Sequence, residues 1–204
     1  MSDCYFPSKK LFLKLIIYFL TSIISCLGVC FEAKAVSESD AAKLERGEII
    51  TKSLTPQLKG NEKGAEAQVL IQATPEKVWK VIDDQEKLVK IIPKFKKIKV
   101  LEKTENYQKV YNALKVCPFL PTLKYTVLID EREKYRRIRY NKIDGCFSKL
   151  YGSWELEPYK GNTILKYRLI FDLGFHIPSF IRSNGFNKDL PEIMNAIKNA
   201  TENN

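Results

Sequence analysis

Residues 73–93 read A-T-P-E-K-V-W-K-V-I-D-D-Q-E-K-L-V-K-I-I-P. A strand-like run, Val69-Leu70-Ile71, feeds into this stretch, and a long series of alternating apolar segments follows it. Thr74 has the chemistry of an N-cap. Pro75 takes the first helical position, where an N–H has no intrahelical partner to lose. Val78, Trp79 and Ile82, and then Leu88, Ile91 and Ile92 after a short break, fall on one side of a helix pair. Asp83 and Asp84 cap or follow the first of these helices. Paired acids in that position are solvated more often than they are catalytic. Two short helices after strand one, and then only strands until a last helix, predict an α+β fold. In that fold a curved antiparallel sheet grips a long C-terminal helix and leaves a cavity between them.

Downstream of the helix pair the period is two. Phe95–Glu102 sets Ile98 and Val100 against lysines, and Tyr107–Val116 sets Val110, Leu114 and Val116 against Lys109 and Lys115. Residues 117–121, C-P-F-L-P, reverse the chain. Leu123, Tyr125, Val127 and Ile129 then alternate up to a turn at Glu131–Glu133. Ile138 and Tyr140 oppose Arg137 and Arg139, and Asp144-Gly145 signals a tight hairpin. Leu150, Gly152, Trp154 and Leu156 alternate next. After a turn at Lys160-Gly161-Asn162, so do Leu165, Tyr167, Leu169 and Phe171. Segments of this kind, joined by short turns, make an antiparallel meander with one wet and one apolar face. Upstream, Glu48–Ser53 and Glu66–Ala73 read as two halves of a first long strand or a hairpin around the polar loop Lys59–Gly64. The tail, Pro178–Asn199, is expected to be helical, with Ile181, Phe186, Leu190, Ile193, Met194 and Ile197 on its apolar side. Gly185 and Pro191 mark a bend or restart within it.

Residues 1–35 read as an address. Lys9, Lys10 and Lys14 precede the apolar run Leu15–Leu27, and Ala33-Lys34-Ala35 is a small-x-small cleavage site. The expectation is a signal peptide cleaved after Ala35, followed by a polar linker over 36–46 and one domain over 47–202. Such a domain is exported, to a periplasm or a thylakoid lumen. Leu15–Phe31 is 17 residues, the short limit of a membrane span, so an uncleaved anchor stays open. Ile23-Ile24-Ser25-Cys26 matches a lipoprotein signal only loosely.

The chain carries +10 at neutral pH and the leader +2 of that, leaving +8 on the remainder. The cations crowd into Lys87–Lys99 and Arg132–Lys142. Nucleic acid is not expected as a partner, because an exported protein seldom meets it and no binding motif accompanies the charge. An anionic membrane surface fits better; the plain alternative is the solvated side of strands. Outside the leader the cysteines are Cys117 and Cys146. They lie near turns at one end of the sheet but on strands not expected to be neighbours, which disfavours a bridge. No C-x-x-C or His/Cys cluster suggests a metal site, and no cofactor is expected. Oligomeric state is not legible.

Several segments taken in order carry a resemblance: A-T-P-E-K-V-W-K-V-I-D-D, I-I-P-K-F-K-K-I-K-V-L-E, G-S-W-E-L-E-P and G-N-T-I-L-K-Y. Together they resemble the SRPBCC superfamily, and within it the polyketide cyclase/dehydrase group and the coenzyme Q-binding START-like proteins, in a form similar to exported cyanobacterial and plastid versions. Trp79, Pro93, Gly152 and Trp154 match the pattern. The resemblance implies a helix-grip fold (START/Bet v 1-like) and a deep apolar cavity that holds a lipid, quinone, sterol or polyketide. The lining expected for it is Trp79, Ile92, Val110, Asn112, Leu114, Tyr125, Val127, Tyr140, Trp154, Tyr167, Leu169 and Phe171 from the front of the domain, and Ile181, Phe186 and Met194 from the tail.

Catalysis in such a cavity would need a positioned acid or base. On the face assigned to the cavity the polar side chains are Asn112, Tyr125, Tyr140 and Tyr167, and no carboxylate alternates onto it. His176 stands in a link, where a lone histidine is more often structural. No nucleophile elbow, P-loop or dinucleotide fingerprint occurs. Binding or transfer of an apolar small molecule is therefore the leading expectation. A cyclase or dehydrase comes second, and an interaction module with a filled core third.

Overall fold

The computed structural model describes residues 37–116, 118, 120–174 and 188–203. The expected leader, Cys117, His176, Ile181 and Phe186 therefore lie outside the described residues, and with them the expected cleavage site, the Cys117–Cys146 pairing and the first part of the expected tail helix. Helix α1 (Glu38–Glu45) precedes a hairpin of β1 (Ile50–Ser53) and β2 (Lys63–Ile71). Then come α2 (Pro75–Ile82) and α3 (Gln85–Ile91), followed by β3 (Phe95–Lys103), β4 (Tyr107–Leu114), β5 (Leu123–Glu133), β6 (Arg137–Gly145), β7 (Lys149–Tyr159) and β8 (Asn162–Asp172). Helix α4 (Leu190–Glu202) ends the chain.

Eight antiparallel strands form one sheet in the order β1-β2-β8-β7-β6-β5-β4-β3. The expected first strand is a hairpin, with Ile50 opposite Gln68 and Ser53 opposite Ala65, so the helix pair follows the second strand. Pairing of β2 with the last strand, β8, joins the N-terminal hairpin to the end of the meander. Helix α2 begins at Pro75 as its sequence dictates. The Thr74 carbonyl accepts from the Lys77 and Val78 N–H groups, but its hydroxyl makes no cap; it interacts with the Glu76 carboxylate instead. Asp84 does cap α3, its carboxylate accepting from Lys87 N–H at 3.0 Å.

Two turns fall later than the sequence suggests. β5 runs on through Glu133 and turns at Lys134-Tyr135-Arg136, and β6 runs through Gly145 and turns at Cys146-Phe147-Ser148. Gly145 stands at φ 106°, and a Cβ there would sit 2.9 Å from the Cβ of Tyr125, so glycine serves the backbone approach and not a two-residue turn. In β3 the expected alternation fails. Val100 is 37% and Leu101 47% exposed, because β3 is an edge strand whose pairing with β4 shifts twice, between Phe95 and Lys97 and between Val100 and Glu102.

Helix α4 buries Leu190, Met194 and Ile197 against β2 and the helix pair. Three such side chains are worth about 5–9 kcal/mol of transfer free energy before ordering entropy. The far end of α4 is pinned at the strand–helix corner, where the Glu202 carboxylate accepts from Gln72 N–H at 2.8 Å. In the same corner the Thr163 hydroxyl donates to the Ala73 carbonyl at 2.7 Å.

A candidate ligand cavity between sheet and helices

The concave face of the sheet is not filled. A cavity of about 220 Å³ lies between β4–β8, the α2–α3 pair and the start of α4. One water needs about 10–15 Å³ on the same measure, so the space holds far more than a few waters. Such a void argues against the filled-core module. Ile82, Gln85 and Leu88 roof it from the helix pair, and Leu190 and Ile193 from α4.

Of the residues expected to line it, Ile92, Asn112, Leu114, Tyr125, Val127, Tyr140, Trp154, Tyr167, Leu169 and Phe171 do so. Trp79, Val110 and Met194 are packed in the core and are not part of the wall. Each has the right sequence period, but other side chains of the core cluster close around all three and leave them buried. Trp79 instead meets Tyr135 edge to face, with centroids 5.8 Å apart. The lining residues not expected from the sequence include Phe147, beside the β6–β7 turn, and the charged trio Lys63, Lys94 and Asp189. Lys63 was legible: it lies two residues before Ala65 and four before Ala67, in step with the inward face of β2.

Aromatic packing fixes the inner wall. Trp154 and Tyr167 face one another across β7 and β8 and stack at 3.8 Å and 13°. Phe147 stands edge-on to both Tyr125 and Phe171, at 5.1 and 6.0 Å. Tyr140 crosses over Gly152, and its hydroxyl donates to the Arg168 carbonyl at 2.8 Å. The polar groups are few. Asn112 donates through Nδ2 to the Val110 carbonyl at 3.2 Å. Burial pushes the phenols of Tyr125, Tyr140 and Tyr167 above their ordinary value, and a charge on Tyr167 would push the other two further. All three stay neutral at physiological pH, able to donate or accept a hydrogen bond but unsuited to act as bases.

A carboxylate does alternate onto the concave face, contrary to expectation, but away from the cavity. Glu131 continues the Tyr125-Val127-Ile129 series under the end of α2 and is 4% exposed. Gln108 donates to it through Nε2 at 2.6 Å and also to Asp83. Lys103 approaches the second Asp83 oxygen at 3.5 Å. Burial first, and then Asp83, push the Glu131 carboxyl up to about 7. The mouth of the cavity is marked by lining residues that keep part of their surface in water, including Leu114, Val116, Leu120 and an ion pair between Lys94 and Asp189.

A curved antiparallel sheet, a helix pair inserted after its first hairpin and a terminal helix across a hollow concave face define the helix-grip class of ligand-binding folds. Residues 71–198 match the family model for polyketide cyclase / dehydrase and lipid transport, more than half of the chain, and the protein belongs to that family. Human StAR-related lipid transfer protein 5 superposes with a TM-score of 0.61 at 12% identity, over 77% of this chain and 83% of the other. The Zhui aromatase/cyclase from Streptomyces sp. R1128 gives 0.60 at 20% identity, over 69% and 94%. A STAR-related lipid transfer protein from Xanthomonas axonopodis gives 0.60 at 15% identity, over 75% and 93%. At these identities the likeness is one of fold. No curated protein matches the sequence.

Proposed function

We propose that this protein binds and transfers an apolar small molecule, such as a lipid, quinone or polyketide-like ring, carried in the cavity beneath α4. The observation that carries the reading is the cavity itself: about 220 Å³, walled largely by aliphatic and aromatic side chains, with three neutral phenols and two amides, Asn112 and Gln85, for orientation. Burying an uncharged apolar body there gains about 25 cal/mol per Å² of surface removed from water. The family's description joins enzymes and lipid carriers. Transfer is favoured over cyclisation because the phenols are poised far from a useful general base, and because Asp189, the carboxylate among the described lining residues, is already paired to Lys94.

Delivery at an anionic membrane surface in an exported compartment completes the proposal. Its support is the run Lys87, Lys90, Lys94, Lys96, Lys97 and Lys99 along α3 and β3, beside the mouth, together with the leader-like residues 1–35. Native mass spectrometry of the full chain tests the cavity. A bound mass that is released on denaturation is expected; a bare chain that also fails to take up a hydrophobic probe would refute the reading. Co-sedimentation with vesicles containing phosphatidylglycerol, but not with pure phosphatidylcholine, is the expected result for the surface.

A further inference from the structure

We infer that the ligand is an amphiphile with a single negative charge, a long-chain carboxylate whose head sits at Lys63 and whose tail fills the cavity. This rests on the cavity reading above and adds the chemical class of what enters. Three charged side chains are among the described lining residues: Lys63, Lys94 and Asp189. Lys94 and Asp189 cancel one another as an ion pair at the mouth. Lys63 has no carboxylate partner among the described residues. The net charge that the described wall presents is therefore one positive unit.

The position of Lys63 is built into the sheet. It is the first residue of β2, opposite Phe171 of β8, and strand alternation puts its side chain on the concave face with Ala65, Ala67 and Val69. Lys63 is partly exposed while Ala65 and Ala67 behind it are buried, so its ammonium stands where the cavity meets water. A lysine at such a boundary lays its aliphatic stem on apolar surface and keeps its ammonium in water. Deeper in, the phenols are held neutral and the rest of the wall is largely apolar, so a charged head has no partner inside and desolvation drives it back to the mouth. A charge-assisted hydrogen bond there discriminates an anion from its neutral ester by about tenfold or more.

The test titrates the full chain at low ionic strength with the fluorescent fatty acid cis-parinarate and, separately, with its methyl ester. The acid should bind at least tenfold more tightly than the ester. The ratio should fall to near one in Lys63→Gln and persist in Lys63→Arg. In Lys94→Gln it should stay well above one. Salt at 0.5 M should narrow the ratio in the parent protein. Equal binding of acid and ester, or a preference that survives Lys63→Gln, overturns the inference while leaving the cavity reading intact. Binding of neither probe overturns both. Circular dichroism of each variant separates loss of the head-group contact from loss of fold.

Discussion

Gly152 should resist replacement by any larger residue, and Gly152→Ala makes the point measurable. A Cβ built on Gly152 would overlap the Arg168 carbonyl oxygen and the Tyr140 hydroxyl, and would stand 2.7 Å from Tyr140 Cζ, where ordinary contact begins near 3.4 Å. Either Tyr140 swings into the cavity or β7 moves away from β8. If the ring moves, its hydroxyl gives up the 2.8 Å hydrogen bond to Arg168. Overpacking costs about 1–3 kcal/mol, and a buried hydrogen bond left unmade adds about 1–2 kcal/mol. A total of about 2–5 kcal/mol follows, or a melting temperature lower by on the order of 10 °C for a domain of this size. Urea unfolding followed by circular dichroism measures it, with an unchanged m-value expected. Tyr140→Phe alone should cost only about 1 kcal/mol, since the ring stays and only the hydroxyl goes. A Gly152→Ala variant within about 0.5 kcal/mol of the parent would refute the reasoning, because a packed wall cannot absorb a methyl group unnoticed.

The buried carboxyl of Glu131 makes stability depend on pH. Its native pKa of about 7 lies above the ordinary 4.5, so the folded chain keeps a proton that the unfolded chain releases. The contribution is whole below about pH 4.5 and disappears as pH rises through 7. The melting temperature should therefore drop by a few degrees, roughly 2–6 °C, between pH 6 and 8, and Glu131→Gln should flatten that slope; identical slopes would count against the pair with Asp83. Asp84→Ala removes the cap of α3 and should cost about 1 kcal/mol in urea unfolding. Trp154 touches the cavity and Trp79 does not. A bound ligand should accordingly shift tryptophan emission in the parent and in Trp79→Phe, but not in Trp154→Phe.

Much of this architecture is visible in the chain because period two is a local property. Leu165, Tyr167, Leu169 and Phe171 announce their face with no knowledge of their neighbours, and Pro75 announces a helix start. What stayed hidden is non-local. Whether Val110 bounds a void or fills a core depends on where α2 lies above it, and nothing within β4 says so. Trp79 and Met194 were misplaced for the same reason: an apolar side chain on a helix faces inward equally well over a cavity and over a wall. Lys63 and Glu131 carry charge beside turns, which resembles loop chemistry, although both keep the step of their strands. The shifts in β3 are invisible in sequence because pairing with β4, and not composition, sets them.

The flanks of the sheet carry a last consequence. A β-sheet can grow into a fibre only if a newcomer finds an uninterrupted row of backbone donors and acceptors. β1 offers four residues. β3 offers nine, but its two kinks leave only Lys97–Val100 in continuous step, and Lys97 and Lys99 would set like charges against any second copy. The protein can thus keep a hollow, greasy interior without a margin on which further copies would polymerise.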